Sequence, residues 1–230
     1  MPHFDHNAFD AFALDHGVVG FSQEGFVLAS GRPSHWYANW RNLTHEVSTM
    51  GILADFVLDY CFDRALHPAF FYGVPEGASP LALIVQYKYV CERLGGIPGH
   101  PLVMGRKSQK AHGAPQDRFF IGGAQGSSVI LEDVTTTGGS LLKEVEKFAS
   151  LSNMPVLATV SLLDRMELRS DGNTVEQAIA EYGISHFSLT TAERILPQAY
   201  KRLQPGEAIG RAIEGEYREH GARPIRLLPR

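Results

Sequence analysis

At 230 residues, with 20% charged residues and a formal net charge of −4, the chain has the length of one domain. It carries no basic excess of the kind that marks a nucleic-acid binder. Its uninterrupted apolar runs are too short to span a bilayer, and Met1-Pro2-His3-Phe4-Asp5-His6 lacks the basic start and apolar stretch of a secretion signal. Cys61 and Cys91 fall in helix-like apolar patterns outside any metal-type or CxxC spacing, which predicts buried, reduced thiols in a cytoplasmic protein.

Phe9, Phe12 and Ala13 at helical spacing predict a helix over 4–16. Phe26–Ala29 and Trp36–Asn39, split by Ser30-Gly31-Arg32-Pro33-Ser34, predict a hairpin. A helix is expected from His45 to Phe62, a buried strand over 69–74, a turn over 75–79, and a helix from Pro80 to about Leu94. Strands are expected at 101–104 and 119–121, then a long one into Asp133 followed by a helix with Leu141, Leu142, Val145 and Phe148 on one face. Strands at 155–164 and 186–189 alternate with helices at 174–182 and 192–203. The chain from Gly206 reads as a charged tail without clear structure. This alternation predicts an α/β fold, a mostly parallel sheet flanked by helices with ligands at the carboxyl ends of its strands. Loops after 74, 104, 133 and 164 should gather there. The expected division is an N-terminal helix and hood hairpin at 1–44, a core at 45–205 and a tail at 206–230.

The organising stretch is Val129-Ile130-Leu131-Glu132-Asp133-Val134-Thr135-Thr136-Thr137-Gly138-Gly139-Ser140. A strand, a turn rich in hydroxyls and glycines, and a helix start together make an anion cradle. The acid pair would repel a bare phosphate, so the ligand must also offer hydroxyls, as ribose 5-phosphate does. Side chains alternate faces along a strand, so both acids can serve one ligand only where the strand stops. A magnesium-binding strand of a nucleotide hydrolase would need a Gly-x4-Gly-Lys-Ser/Thr loop, and the chain has none. Arg106-Lys107-Ser108-Gln109-Lys110-Ala111-His112-Gly113 concentrates cations without an acid, a second anion site. Tyr72 to Pro80 is a tight strand-to-helix turn, and Asp164-Arg165-Met166-Glu167 puts an arginine fork at another strand end, suited to a carboxylate or to an ion pair with its neighbours.

These motifs, in this order, resemble those of the type I phosphoribosyltransferases, and among them the orotate phosphoribosyltransferases. The 129–140 stretch is similar to the family's loop for phosphoribosyl diphosphate (PRPP), and 106–113 to its catalytic loop Arg-Lys-x-x-Lys-x-His-Gly. The 72–80 turn is similar to its diphosphate loop, and 26–41 to its N-terminal hood. The resemblance implies the type I phosphoribosyltransferase fold and transfer of phosphoribosyl from PRPP to orotate. By matching positions, Arg106, Lys107, Lys110 and His112 stabilise the departing diphosphate. Glu132 and Asp133 hold the ribose hydroxyls, Thr136, Thr137, Gly138, Gly139 and Ser140 hold the 5′-phosphate, Arg165 meets orotate, and Tyr37 covers the base. Mg2+ is implied through the diphosphate and ribose hydroxyls, with no protein metal ligand assigned, although Glu76 is a candidate. A homodimer is implied, the catalytic loop serving the neighbouring subunit. Three positions depart from the family: Ala29 stands for a substrate-contacting lysine, Ala111 for an acid, and Glu76-Gly77 for a loop lysine of some members. Arg32 and Arg41 are the candidates to replace the lysine. The departures keep two alternatives open, transfer to another base and a non-catalytic PRPP sensor.

Overall fold

The computed structural model describes residues 3–106, 108, 118–151 and 153–229. Helix α1 (His6–Asp15) is capped by Asp5, whose carboxylate accepts from the N–H groups of Asn7 and Ala8. Strands β1 (Val19–Val27) and β2 (Pro33–Ala38) form the antiparallel hood hairpin, and a 3-10 turn at Trp40–His45 leads into α2 (Val47–Asp63). Then come β3 (Phe70–Gly73), α3 (Ser79–Lys88) with a π-helical turn at Tyr89–Arg93, β4 (Met104–Gly105) and β5 (Phe120–Ile121). The rest is β6 (Ser128–Thr135), α4 (Gly139–Ala149), β7 (Val156–Asp164), α5 (Val175–Ala180), β8 (Ser185–Thr191), α6 (Ala192–Leu203) and α7 (Glu207–Glu219).

The central sheet is parallel throughout, in the order β3-β6-β7-β8. Alternation of side chains splits the core between its two faces. Phe71, Val129 and Leu131 join α2, α3 and α6 on one side. Phe70, Tyr72 and Ile130 pack with Leu141, Val145 and Phe148 of α4 on the other.

The segment expected as a strand at 101–104 does not extend this sheet. Only Met104–Gly105 is extended, and it pairs antiparallel with β5. On the free edge of β3 the buried Gln86 side chain bridges the strand and the segment leading into β4. Gln86 Oε1 accepts from Phe71 N at 3.0 Å, and its Nε2 donates to Ala69 O at 3.2 Å and Pro101 O at 2.8 Å.

Two more expectations change. The segment after Gly206 is largely the helix α7, which buries Ile209, Ile213 and Tyr217 at a spacing of four along one face. Cys91, in the π-helical turn, is exposed, whereas Cys61 is buried, which pushes its thiol up to about 12.

Candidate active site

Strand β3 stops at Gly73, opposite Leu131, while β6 runs on to Thr135. Past Leu131, β6 therefore has no neighbour on that side, and the chain from β3 turns away with Val74 N donating to Leu131 O at 2.9 Å. This is how Glu132 and Asp133, on opposite faces, both reach one cavity. The strand does not end at the acids, as expected from the sequence; its neighbour does.

The cavity, of about 250 Å³, is lined by Val74, Pro75, Glu76 and Gly77 from the first loop and by Glu132 to Val134 and Thr136 to Ser140 from the second. The hood supplies Ala29, Ser30 and Arg41. Gly77 presses against the Asp133 carboxylate so closely that a Cβ would lie 2.5 Å from Oδ2. Gly138 has φ +66° and precedes α4, and a Cβ there would meet Val175 at 2.7 Å. Both glycines are required by close approach, the second also by its left-handed backbone. No side chain caps α4, so the N–H groups of its first turn face the cavity beside the Thr136 and Thr137 hydroxyls. A helix start of this kind favours an anion.

The acid end is different. Glu132 is only 7% exposed, and its Oε1 accepts from Asp133 N at 3.2 Å. Burial first, and then the Asp133 charge, push its carboxyl up to about 9. It is therefore protonated near neutral pH and can donate to a hydroxyl while Asp133 accepts. Arg41 approaches Asp133 Oδ2 with its Nε at 3.9 Å, and its side chain is 69% exposed. It is the cation among the described lining residues.

The buried acid has a consequence for folding. The unfolded chain releases the Glu132 proton near 4.5, whereas the folded chain holds it to about 9. The folded state binds more protons between those values, so the stability of the ligand-free protein should fall as pH rises through that window. Urea melts across this pH range should show a smaller decline in Glu132→Gln; an unchanged slope would contradict the assignment.

The other expected site residues are distributed as follows. Arg106 follows β4, its N donating to Phe119 O at 3.0 Å, and β4 reaches the first loop, since a Cβ on Gly105 would lie 2.6 Å from Pro75. Lys107, Lys110 and His112 lie outside the described residues. Tyr37 is 39% exposed, packs edge-on against Phe26 at 5.5 Å and lies over Gly20, away from the cavity. Arg32 also points elsewhere, donating to Glu167 Oε2 at 3.1 Å and Leu168 O at 2.6 Å.

Arg165 does not line the cavity. It is 1% exposed, stacks on Trp36 at 3.9 Å, and donates from Nε to Glu167 Oε1 at 2.8 Å. Its Nη1 donates to Trp36 O at 3.2 Å and its Nη2 to Ser34 Oγ at 2.8 Å. Within the chain its carboxylate partner is Glu167, an acid of its own turn. Asp164, pushed up to about 6 by burial, accepts from Met166 N at 2.7 Å and fixes the turn. The loop after 164 thus supports the hood from beneath, and Arg41 is the lining residue that motif reading marked only as a substitute.

No family model matches the chain. It is 33% identical over 185 residues to an orotate phosphoribosyltransferase of Rhodopseudomonas palustris (strain BisB5), an alignment that covers 76% of this chain and 89% of that one. It is 29% identical over 181 residues to the orotate phosphoribosyltransferase of Methanopyrus kandleri, covering 78% and 86%. Among solved structures, orotate phosphoribosyltransferase from Aeropyrum pernix superimposes with a TM-score of 0.60 at 26% identity, over 85% of this chain and 99% of that one. The enzyme from Francisella tularensis gives 0.69 over 94% and 100%, and at 19% identity it speaks for the fold alone. With the sheet, the paired acids at the cavity and the relatives in agreement, the chain belongs to the orotate phosphoribosyltransferase family.

Proposed function

We propose that the protein transfers the phosphoribosyl group of PRPP to orotate, giving orotidine 5′-monophosphate and diphosphate in pyrimidine biosynthesis. The observation that carries this reading is the meeting of three features in one cavity: the acid pair, the α4 start with its threonines, and the 74–77 loop. A donor with a 5′-phosphate, ribose hydroxyls and a diphosphate at C1 has a counterpart for each part. Relatives that bear the name of the enzyme support the choice of acceptor.

In the reaction the C1–O bond to diphosphate breaks and a bond from the base nitrogen to C1 forms. Diphosphate leaves with the electron pair, and the base nitrogen gives up its proton. Positive charge grows on the ribose ring next to Asp133, which stabilises it while holding a ribose hydroxyl. Glu132 holds the second hydroxyl and fixes the ring. Thr136, Thr137 and the backbone from Gly138 to Ser140 hold the 5′-phosphate. Arg106, Lys107, Lys110 and His112 are assigned to the leaving diphosphate on their sequence pattern, supported by the contact of the β4 end with Pro75.

Mg2+ fits this donor set. The cavity presents the hard oxygens of Glu76, Glu132 and Asp133, yet the described residues contain no cluster of three or more metal-ligating side chains. Asp133 and Glu76 would be the residues to hold the ion, together with water and the substrate phosphates. When bound, it supplies charge neutralisation at the diphosphate. A homodimer, with the catalytic loop serving the neighbouring subunit, is carried over from the family resemblance of the 106–113 motif. A cytoplasmic location is supported by the two free cysteines.

Arg41 is assigned to the carboxylate of orotate, the charge that separates it from uracil. Assays with PRPP, Mg2+ and a panel of bases should give turnover with orotate. Arg41→Ala should lower kcat/KM for orotate by roughly tenfold or more, the scale of one charge-assisted hydrogen bond, and leave any residual uracil turnover unchanged. Turnover of another base in place of orotate would overturn the proposal.

A further inference from the structure

The hood hairpin pairs with no strand of the central sheet. It nevertheless delivers Ala29 and Ser30 to the cavity, and the 3-10 turn that continues from β2 delivers Arg41, so its placement determines what meets the base. Much of that placement comes from α7, the helix farthest along the chain, which packs on both hood strands. Glu216 is the point of attachment. Its Oε1 accepts from His35 N at 2.8 Å and from His35 Nδ1 at 2.7 Å. Its Oε2 lies 3.0 Å from Ser34 Oγ, the same hydroxyl that Arg165 Nη2 reaches at 2.8 Å. The next residue, Tyr217, donates its hydroxyl to Arg165 O at 2.8 Å. Beyond it, Leu168 N donates to His220 O at 2.7 Å and Ala222 N to Met166 O at 2.8 Å. One carboxylate thus ties β2 to a helix that is itself stapled to the 165–168 turn.

We propose that Glu216 is a positioning residue for base binding: it touches no substrate, and holds the hood so that Arg41 and the Ala29–Ser30 tip stand over the cavity. A simpler role, helix–hairpin packing alone, would make the carboxylate dispensable once the protein folds. The geometry argues otherwise, because the acceptor is charged and largely enclosed, with a side-chain exposure of 17%, and all three of its contacts belong to consecutive hood residues. Charge-assisted bonds of this kind are both stronger and more directional than neutral ones.

The inference rests on the proposed transfer to orotate, and its test has one arm that needs no turnover. The chain has two tryptophans, Trp36 and Trp40, both buried, one in β2 and one in the turn that follows it. Their emission therefore reports on the hood. Glu216→Ala should red-shift that emission and raise its quenching by acrylamide while far-UV circular dichroism stays that of the wild type. Glu216→Gln, which keeps an acceptor for His35 N, should fall between, and His35→Ala should shift the emission in the same direction by less. In assays, Glu216→Ala should raise KM for orotate by about tenfold and leave KM for PRPP within about twofold. Its effect on kcat/KM for orotate should be non-additive with that of Arg41→Ala, since both remove one placement. Unchanged tryptophan quenching in the folded variants overturns the inference whatever the assays give. So do equal changes in both KM values, or strict additivity with Arg41→Ala. A wild type that turns over no orotate defeats the proposed function instead, and the fluorescence arm still decides the role of Glu216.

Discussion

Replacing Arg165 by alanine is expected to cost about 3–5 kcal/mol of stability, the scale of leaving one partner of a buried ion pair uncompensated. The loss is to be read from urea or thermal melts. The side chain makes three hydrogen bonds, to Glu167, Trp36 and Ser34, and stacks on Trp36. Removing it strands Glu167, which is also buried, with only Arg32 at 3.1 Å to answer its charge. Lysine should not rescue, because an ammonium cannot reproduce the fork and the stacking together. The family resemblance carries a competing outcome. If Arg165 serves orotate, the alanine variant should melt with the wild type and lose affinity for the base. A variant of normal stability with a raised KM for orotate would therefore contradict the placement described here.

Asp133→Asn is expected to lower kcat by about 10²–10³-fold, the scale of removing one preorganised electrostatic group. Its melting temperature should stay near that of the wild type, since its side chain is 19% exposed and has no buried charged partner. Glu132→Gln should cost much less at neutral pH, because the amide is close in shape and charge to the protonated acid that burial and Asp133 already enforce. The two acids stand side by side and look equivalent in the sequence. Their environments separate them. Equal losses in the two variants, measured as kcat at saturating PRPP and orotate, would show that the distinction is wrong.

The central parallel sheet was legible because β6 and β7 carry apolar runs of strand length and α4 places Leu141, Leu142, Val145 and Phe148 at helical spacing. The phosphate end of the cavity was legible for a related reason: glycines and threonines at a strand-to-helix turn leave few other conformations. What could not be read is what depends on partners distant along the chain. Gly77 looks like any turn glycine until the Asp133 carboxylate is seen against it. Gln86 gives no sign in sequence that it bridges the edge of β3 and the segment leading into β4. Arg165 sits in a motif that reads as a ligand contact, and only the fold shows the hood residues lying on top of it. Helix α7 was the avoidable miss. Ile209, Ile213 and Tyr217 are spaced by four, but Gly206, Gly210 and Gly215 and the surrounding charges obscured the stripe. The consequence is functional, because Glu216 on that helix carries the hood.

The most direct measurement on the central claim is phosphorus NMR of the protein with PRPP and Mg2+, before and after orotate is added. The account predicts little change before the addition. Afterwards, diphosphate and a new phosphomonoester should appear in equal amounts as orotate is consumed, and Asp133→Asn should slow the appearance of both together by about 10²–10³-fold. Persistence of PRPP in the presence of orotate, or release of diphosphate without consumption of the base, would contradict it.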